Sequence, residues 1–533
     1  MSFDWHPEPE LLDVRDPAVS REALERLGHD AWGAALDYLY DEAFRRAMGE
    51  PTTAVPLRAR FFGASGGPAP APVEPTPSAD LLAEFRDRVA PHQLNAWHPR
   101  TLSYFTPPPL LLSIVGELLA QFTQQGVDVW HAGPSAAFVE EEVVRWLCDL
   151  VGYGQGSFGL LASGGVMANF MALALARDVR LRELRNLDRP PRGAALEGAR
   201  VYVSDQGHFS VARALDELGF PAETLVTLPS DDRFRLRIDA LAGAVASDHA
   251  AGLAPFAVVA VSGTTNTGSI DDVMAIAEVA ARHRLWLHVD AAYGGAARLS
   301  GDLGRLVPGL ELADSVTVDP HKWFFQAYDI GGLMVRDGRL LAQTFSRRPE
   351  YYRGGGETAR DHDAHDGDSL DFYRLGFEGT RRWRALKLWM SWKHLGTSGL
   401  ARLVEANVDM AVHLARRIAE SDDFDAFPVE PPLSVVCFRH LPRGRAATGA
   451  MGASDLAALD DHQDRLAVAL EASGDGWLST TLLRGRTFLR AGIVNYLTTP
   501  EDIDRLLETL RRLAGELPAG AGATAAGQGE ADG

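Results

Sequence analysis

The sequence predicts an α/β protein with a large mixed, mostly parallel sheet domain, a smaller C-terminal α+β domain and an N-terminal helical arm. Two observations carry this. From about residue 100 to 340, apolar strands alternate with amphipathic helices, the pattern of parallel strands buried on both faces. Four turns bearing glycine, histidine, aspartate or lysine then fall at strand ends, where open α/β sheets gather their ligands.

The elements follow in order. Within residues 1–100, "SREALERLGHDAWGAALDYLYDEAFRRAM" repeats apolar residues at helical spacing, so its apolar face needs another domain or subunit. Residues 51–79, with "GASGGPAPAPVEPTPS", read as a linker. The large domain is expected over 101–395, with strands at "ARVYVS" (199–204), "PFAVVAVSG" (255–263) and "LWLHVD" (285–290). Between the last two lies a helix over 271–284, acidic at its start and basic at its end, as its dipole favours. Residues 345–380 form a long polar insertion with three consecutive glycines, which is functional or disordered. The small domain is expected over 396–517, with strands "LSVVCFRH" and "RTFLRAGIV" and a last helix "PEDIDRLLETLRRLA". The tail from Pro518 is low-complexity and is expected to be disordered.

Composition narrows the function. The chain of 533 residues is 46% hydrophobic and 23% charged, with a formal charge of −20, which disfavours a nucleic-acid partner. "MSFDWHPEPE" lacks the apolar core of a signal peptide, and "PPPLLLSIVGELLAQF" is too short for a span and contains Glu117. Cys148 and Cys437 fit neither a metal nor a redox spacing and read as reduced buried thiols. A cytoplasmic protein without a membrane partner is expected.

The four turns carry the chemistry. In "LLASGGVMANF", Ser163, Gly164 and Gly165 precede an apolar helix; they make a tight turn or a phosphate cradle of free amides. In "SDQGHFSVARA", His208 is a satisfied loop residue or a ring that stacks on a flat cofactor. In "LHVDAAYGG", Asp290 ends an apolar strand, as a cap or as the partner of a protonated ring nitrogen. In "SVTVDPHKWFF", Lys322 follows Asp319 and His321 and precedes aromatics; desolvation there is expected to lower its pKa and make it nucleophilic. A phosphate cradle, a stacking ring, a carboxylate for a ring nitrogen and an amine for an aldehyde jointly fit pyridoxal 5'-phosphate (PLP).

With these motifs, "DPHKW", "HVDAAYGG", "SDQGHFSVARA" and "SGTTNTGSIDD", the chain resembles the group II PLP-dependent amino-acid decarboxylases, the family of aromatic-L-amino-acid decarboxylase, over about residues 85–510. The resemblance implies the fold-type I PLP-dependent transferase architecture and an obligate homodimer with shared sites. It implies that Lys322 forms the Schiff base with the cofactor, Asp290 pairs with the pyridinium nitrogen and His208 stacks on the ring. Asp319, His321 and Thr265 would lie at the cofactor, and Thr380, in "GTRRW", would approach the partner subunit's site. Two departures stand out. Val166 and Met167 replace the threonine and glutamate usual in the phosphate turn, leaving backbone amides from Gly164 to Val166. Upstream, "GPSAAFVE" replaces the usual "SPAATELE".

The implied reaction is decarboxylation of an L-amino acid to an amine and carbon dioxide. The family's acid is a loop tyrosine, matched by Tyr351 in "RRPEYYRGGG", with Tyr352 as a rival. In "NAWHPRTLSYFTPP", Trp97, Tyr104 and Phe105 align with the family's side-chain pocket and suit an aromatic substrate. Arg100, Arg381 and Arg382 are available for a second substrate carboxylate. The alternatives are an aldehyde synthase or other lyase on the same fold, and a scaffold that has lost the cofactor.

Overall fold

The computed structural model describes residues 5–41, 45–49, 54–63, 67–347, 370–427, 430–442, 444 and 451–518. Its centre is a seven-stranded sheet: β1 (Phe158–Ala162), β2 (Ala199–Ser204), β3 (Leu225–Leu228), β4 (Ala254–Val261), β5 (Trp286–Asp290), β6 (Ser315–Val318) and β7 (Gly331–Val335). Their order is β1-β7-β6-β5-β4-β2-β3. Strand β7 runs against both of its neighbours and every other pairing is parallel. All strands except β7 therefore point the same way, and their carboxyl ends open on one edge.

Residue choice explains the layering. Strands β1, β5, β6 and β7 are buried at every position, because helices cover both faces of the sheet. The Val273–His283 helix begins where the Asp272 side chain accepts from Ala275 N (3.1 Å) and ends with Arg284 in the left-handed region. The backbones of β1 and β7 cross closely at their ends. A Cβ on Gly331 would lie 2.4 Å from Gly164 Cα, so glycine is required there.

A second, four-stranded antiparallel sheet comprises β8 (Phe424–Phe427), β9 (Val435–His440), β10 (Ser479–Leu483) and β11 (Arg486–Gly492), ordered β10-β11-β9-β8. The Ala453–Ser473 and Pro500–Glu516 helices help form its own core, which includes Phe438, Leu466, Leu489 and Leu506. Leu102 belongs to that core as well. Gly492 N donates to Leu102 O (2.7 Å), so the chain just beyond residue 100 is stitched to the smaller sheet. One helical run, Ala385–Ala419, joins the two cores and is broken by Gly396 at φ 66°.

The N-terminal region departs from the expected linker: residues 54–62 form a helix, Ala54–Phe62, inside the stretch read as linker. Its alanine and arginine content outweighs the single proline, which sits in the first turn where no amide partner is lost. The arm helix, Pro17–Tyr40, starts with the Asp16 side chain accepting from Ala18 N and buries only Ser20 and Ala23. Cys148 and Cys437 are buried free thiols. Among the described residues, no helix is long and apolar enough to cross a membrane.

Burial of histidine makes stability depend on pH. Burial pushes His98, His288 and His440 each down to about 4. Unfolded imidazoles titrate near 6.5, so between about 6.5 and 4 the unfolded chain binds protons that the folded chain refuses. Stability present above that window is lost as pH falls through it. The thermal midpoint is expected to fall by at least about 5 °C across it, at roughly 2–4 °C per kcal/mol. His440→Gln should make that slope shallower in scanning calorimetry, and an unchanged slope would contradict neutral burial of His440.

Candidate active site

The carboxyl ends of β1, β2, β4, β5 and β6 converge on a cleft of about 450 Å³. Ser163 and Gly164 follow β1, His208 follows β2, Thr265 follows β4, Asp290 ends β5, and Lys322 follows β6. All of these line the cleft, as do Gly165, Val166, Asp319 and His321.

The Lys322 amine lies 3.1 Å from Asp319 Oδ2. Burial pulls its pKa down, but the Asp319 and Asp290 carboxylates outweigh that, and the net shift is upward. This corrects the expectation of a desolvated amine with a lowered pKa. The sequence places Lys322 among aromatics, but folding adds a carboxylate from a second strand. In the cofactor-free protein the amine is a held cation and must give up a proton before acting as a nucleophile.

Asp290 is buried. Its Oδ2 accepts from Asn169 Nδ2 (2.8 Å) and its Oδ1 from Ala292 N (3.2 Å). His208 is half-buried; its Nδ1 accepts from Ser210 N (3.3 Å) and lies 2.8 Å from Ser210 Oγ. Burial lowers the His208 pKa, with Asp290 opposing and Lys322 adding to the effect. Asp319 Oδ1 is buried without a hydrogen-bond partner.

The Gly164–Gly165 turn caps the Gly165–Ala176 helix without any side-chain cap, so its first amides remain free. A Cβ on Gly164 would lie 3.1 Å from the His321 ring, and one on Gly165 would lie 2.9 Å from Asp319 Oδ2. A side chain at either position would crowd His321 or Asp319, and the backbone itself forms the floor. Phe105 stacks on Tyr293 (4.1 Å between centroids, 17°), and Tyr293 stacks on Trp323 (4.8 Å, 20°). The Arg490 guanidinium lies over Phe105 at 4.8 Å, and its Nε donates to Thr265 O (2.7 Å).

Other residues singled out from the sequence lie elsewhere. Trp97 lines a separate apolar hollow with Tyr38, Leu39 and Phe85. Tyr104 is 60% exposed, in the left-handed region at φ 55°, and meets Trp477 edge-on. Thr380 is exposed and outside the cleft. Tyr351 and Tyr352 lie outside the described residues.

The three arginines thought available for a substrate carboxylate are engaged. Arg381 is buried against Glu140 and also donates to Val127 O (3.0 Å). Arg382 pairs with Glu117 and Asp329, and Arg100 with Asp502 (3.1 Å). A buried pair such as Arg381–Glu140 cannot give up a partner without roughly 3–5 kcal/mol of destabilisation. Asn169, Ser210 and Tyr293 were not anticipated. Their only signal was polar or aromatic character inside motifs already quoted for their neighbours.

These residues fit PLP. The glycine floor with free helix amides suits a phosphate, buried Asp290 suits a ring nitrogen, and Lys322 suits an aldehyde. The fold and cleft thus define a PLP-binding α/β enzyme, and comparison with known proteins agrees. Residues 64–441 match the pyridoxal-dependent decarboxylase conserved domain. An aromatic-L-amino-acid decarboxylase of Bacillus atrophaeus is 30% identical over 501 residues, 94% of this chain and 97% of that protein. An L-2,4-diaminobutyrate decarboxylase of Rhizobium meliloti (strain 1021) is 31% identical over 449 residues, 84% of each chain. A crystal structure of Oryza sativa TDC with PLP and tryptamine superposes with a TM-score of 0.82 at 26% identity, covering 93% of this chain and 98% of that one. The chain belongs to the pyridoxal-dependent decarboxylase family, and it is a PLP-dependent carboxy-lyase acting on amino acids.

Proposed function

We propose that the protein removes the carboxylate of an aromatic L-amino acid, releasing the amine and carbon dioxide. The observation that carries this reading is the cleft wall. Phe105 and Tyr293 present stacked rings, Val166, Met167 and Phe209 add apolar surface, and no arginine among the described residues lines the cleft. A flat apolar side chain matches that wall, whereas an acidic one would meet no guanidinium on it, Arg490 being set behind Phe105 with its Nε on Thr265 O.

Each site residue then has a task. Bound PLP supplies an aldehyde that joins amines and a ring that accepts the electrons of a breaking bond. Lys322 is the anchoring amine, and Asp290 holds the proton on the ring nitrogen. His208, which lines the cleft, would lie against the ring. The amides of Gly164, Gly165 and Val166 hold the phosphate, which requires no hydroxyl at Val166 or carboxylate at Met167. Thr265, His321 and Asp319 complete the rim. Trp97 and Tyr104 lie away from the cleft, and Phe105 is its aromatic wall. Tyr351 returns a proton to Cα after the carboxylate leaves, and its proposed role rests on the sequence motif alone.

The working unit is proposed to be a homodimer, with Thr380 reaching toward a second copy's site. In support, Leu118, Leu119 and Phe122 of the Leu111–Thr123 helix and Trp32 and Leu36 of the arm expose apolar side chains that a second copy would cover.

The test is evolved carbon dioxide from phenylalanine, tyrosine, tryptophan, dihydroxyphenylalanine and glutamate. Aromatic substrates should dominate, and preference for glutamate would contradict the reading. In Tyr351→Phe, amine output should fall. Dioxygen should then take the electron pair to form hydrogen peroxide, and water should release ammonia and an aldehyde. A lost positioned acid costs roughly 100- to 10,000-fold. Unchanged amine output would remove Tyr351 from the reaction.

A further inference from the structure

Behind Asp290 and His208 lies a buried hydrogen-bond chain that runs from Trp286 through Asn169 to His208. Trp286 Nε1 donates to Ser315 Oγ (3.0 Å), and Ser315 Oγ lies 2.9 Å from His288 Nδ1. His288 Nε2 lies 3.0 Å from Asn169 Oδ1, which also accepts from Thr317 Oγ1 (2.7 Å). Asn169 Nδ2 donates twice, to Asp290 Oδ2 (2.8 Å) and to Ser210 Oγ (2.8 Å). Ser210 Oγ lies 2.8 Å from His208 Nδ1.

The donor roles follow from what each group can do. Asn169 is 1% exposed, and its two N–H groups and two lone pairs are all used. Its oxygen can only accept from His288 Nε2, so that nitrogen carries the proton of the neutral ring; Nδ1, which also lies 3.2 Å from Ser315 O, then accepts from the nearer Ser315 hydroxyl (2.9 Å). At the other end, a backbone N–H also points at His208 Nδ1 (3.3 Å), and a backbone N–H can only donate. His208 Nδ1 is therefore bare, and the Ser210 hydroxyl, already accepting from Asn169, gives its single hydrogen to it. The His208 Nε2 hydrogen is left for the cleft.

We propose that Asn169 is a positioning residue that sets the two working side chains together. It donates to Asp290 Oδ2 and, through Ser210, fixes His208 as the Nε2–H form. Protonating His208 Nδ1 would face a hydroxyl that already accepts from Asn169 and would strand the hydroxyl's hydrogen. The chain thus opposes a charged imidazole beside the cofactor, in the same direction as burial. His208 also faces Asp290, Lys322, Asp319 and Arg213. None of these groups bonds directly to the Ser210 side chain, whose partners are Asn169 and His208. The inference rests on the proposed roles of Asp290 and His208.

The test uses histidine ¹⁵N NMR of the full chain and the pH profile of the holoenzyme. Wild type should show His208 with a bare Nδ1. In Ser210→Ala, the protonation midpoint of His208 and the acid limb of kcat/KM should both rise by up to about one pH unit, the worth of one hydrogen bond to the neutral form. In Asn169→Leu, the same rise should come with a roughly tenfold weaker PLP dissociation constant, as Asp290 also loses its donor. If Asn169→Leu does not fold, Ser210→Ala still decides. A Ser210→Ala midpoint and acid limb matching wild type, or a protonated Nδ1 in wild type, would overturn the proposal. Failure of wild type to take up PLP would instead sink the reading of the site, while the ¹⁵N spectrum of the cofactor-free chain would still test the tautomer.

Discussion

Asp290→Ala is expected to lower kcat/KM by about 10²- to 10⁴-fold, equivalent to removing one partner of a buried charge pair worth roughly 3–5 kcal/mol. The reasoning is local. Asp290 ends β5, is 6% exposed, and sits where the parallel strands open. Its oxygens accept from Asn169 and Ala292, so no neighbour gives the carboxyl a proton. A protonated ring nitrogen can share its proton with that carboxylate, and the ring is a better electron acceptor while it holds the proton. Alanine leaves the ring nitrogen without an anion, and His208 and His288, both driven towards neutrality by burial, do not replace it. Steady-state kinetics with saturating PLP check this. Turnover within a few-fold of wild type would mean that the nitrogen has another partner.

Lys322→Ala is expected to abolish the visible absorbance of lysine-bound cofactor and to cut turnover by at least about 100- to 10,000-fold, the range for loss of a positioned acid–base group alone. The same change removes the cation between Asp319 and Asp290. A variant that keeps both the absorbance and the turnover would remove Lys322 from the chemistry.

Much of the fold was legible because its signals are local. The strand expected over 199–204 is β2 to the residue, and the helix expected over 271–284 is Val273–His283. Burial on both faces makes such strands mostly apolar and β-branched, so their limits show in composition. The convergence of Lys322, Asp290, His208 and the Gly164–Gly165 turn was legible for a different reason. Each ends a parallel strand, and topology brings those ends to one edge.

What failed to show was set by contacts between distant segments. The upward shift at Lys322 comes from carboxylates on two strands, one of them 32 residues away (322 − 290). Arg381 looked available because its partner, Glu140, lies 241 residues earlier in the chain. Asn169 looked like one polar residue in an apolar helix until four partners from the neighbouring strands and helix closed around its amide. Trp97 and Phe105 stand eight residues apart (105 − 97) in one aromatic stretch, yet they face different hollows because the chain between them is stitched to the smaller sheet.

Borohydride reduction of the holoenzyme, followed by peptide mapping, examines the covalent anchor itself. The pyridoxyl mass should appear on the peptide carrying Lys322 and nowhere else. A modified peptide from another part of the chain, with Lys322 intact in PLP-saturated protein, would contradict the site described above.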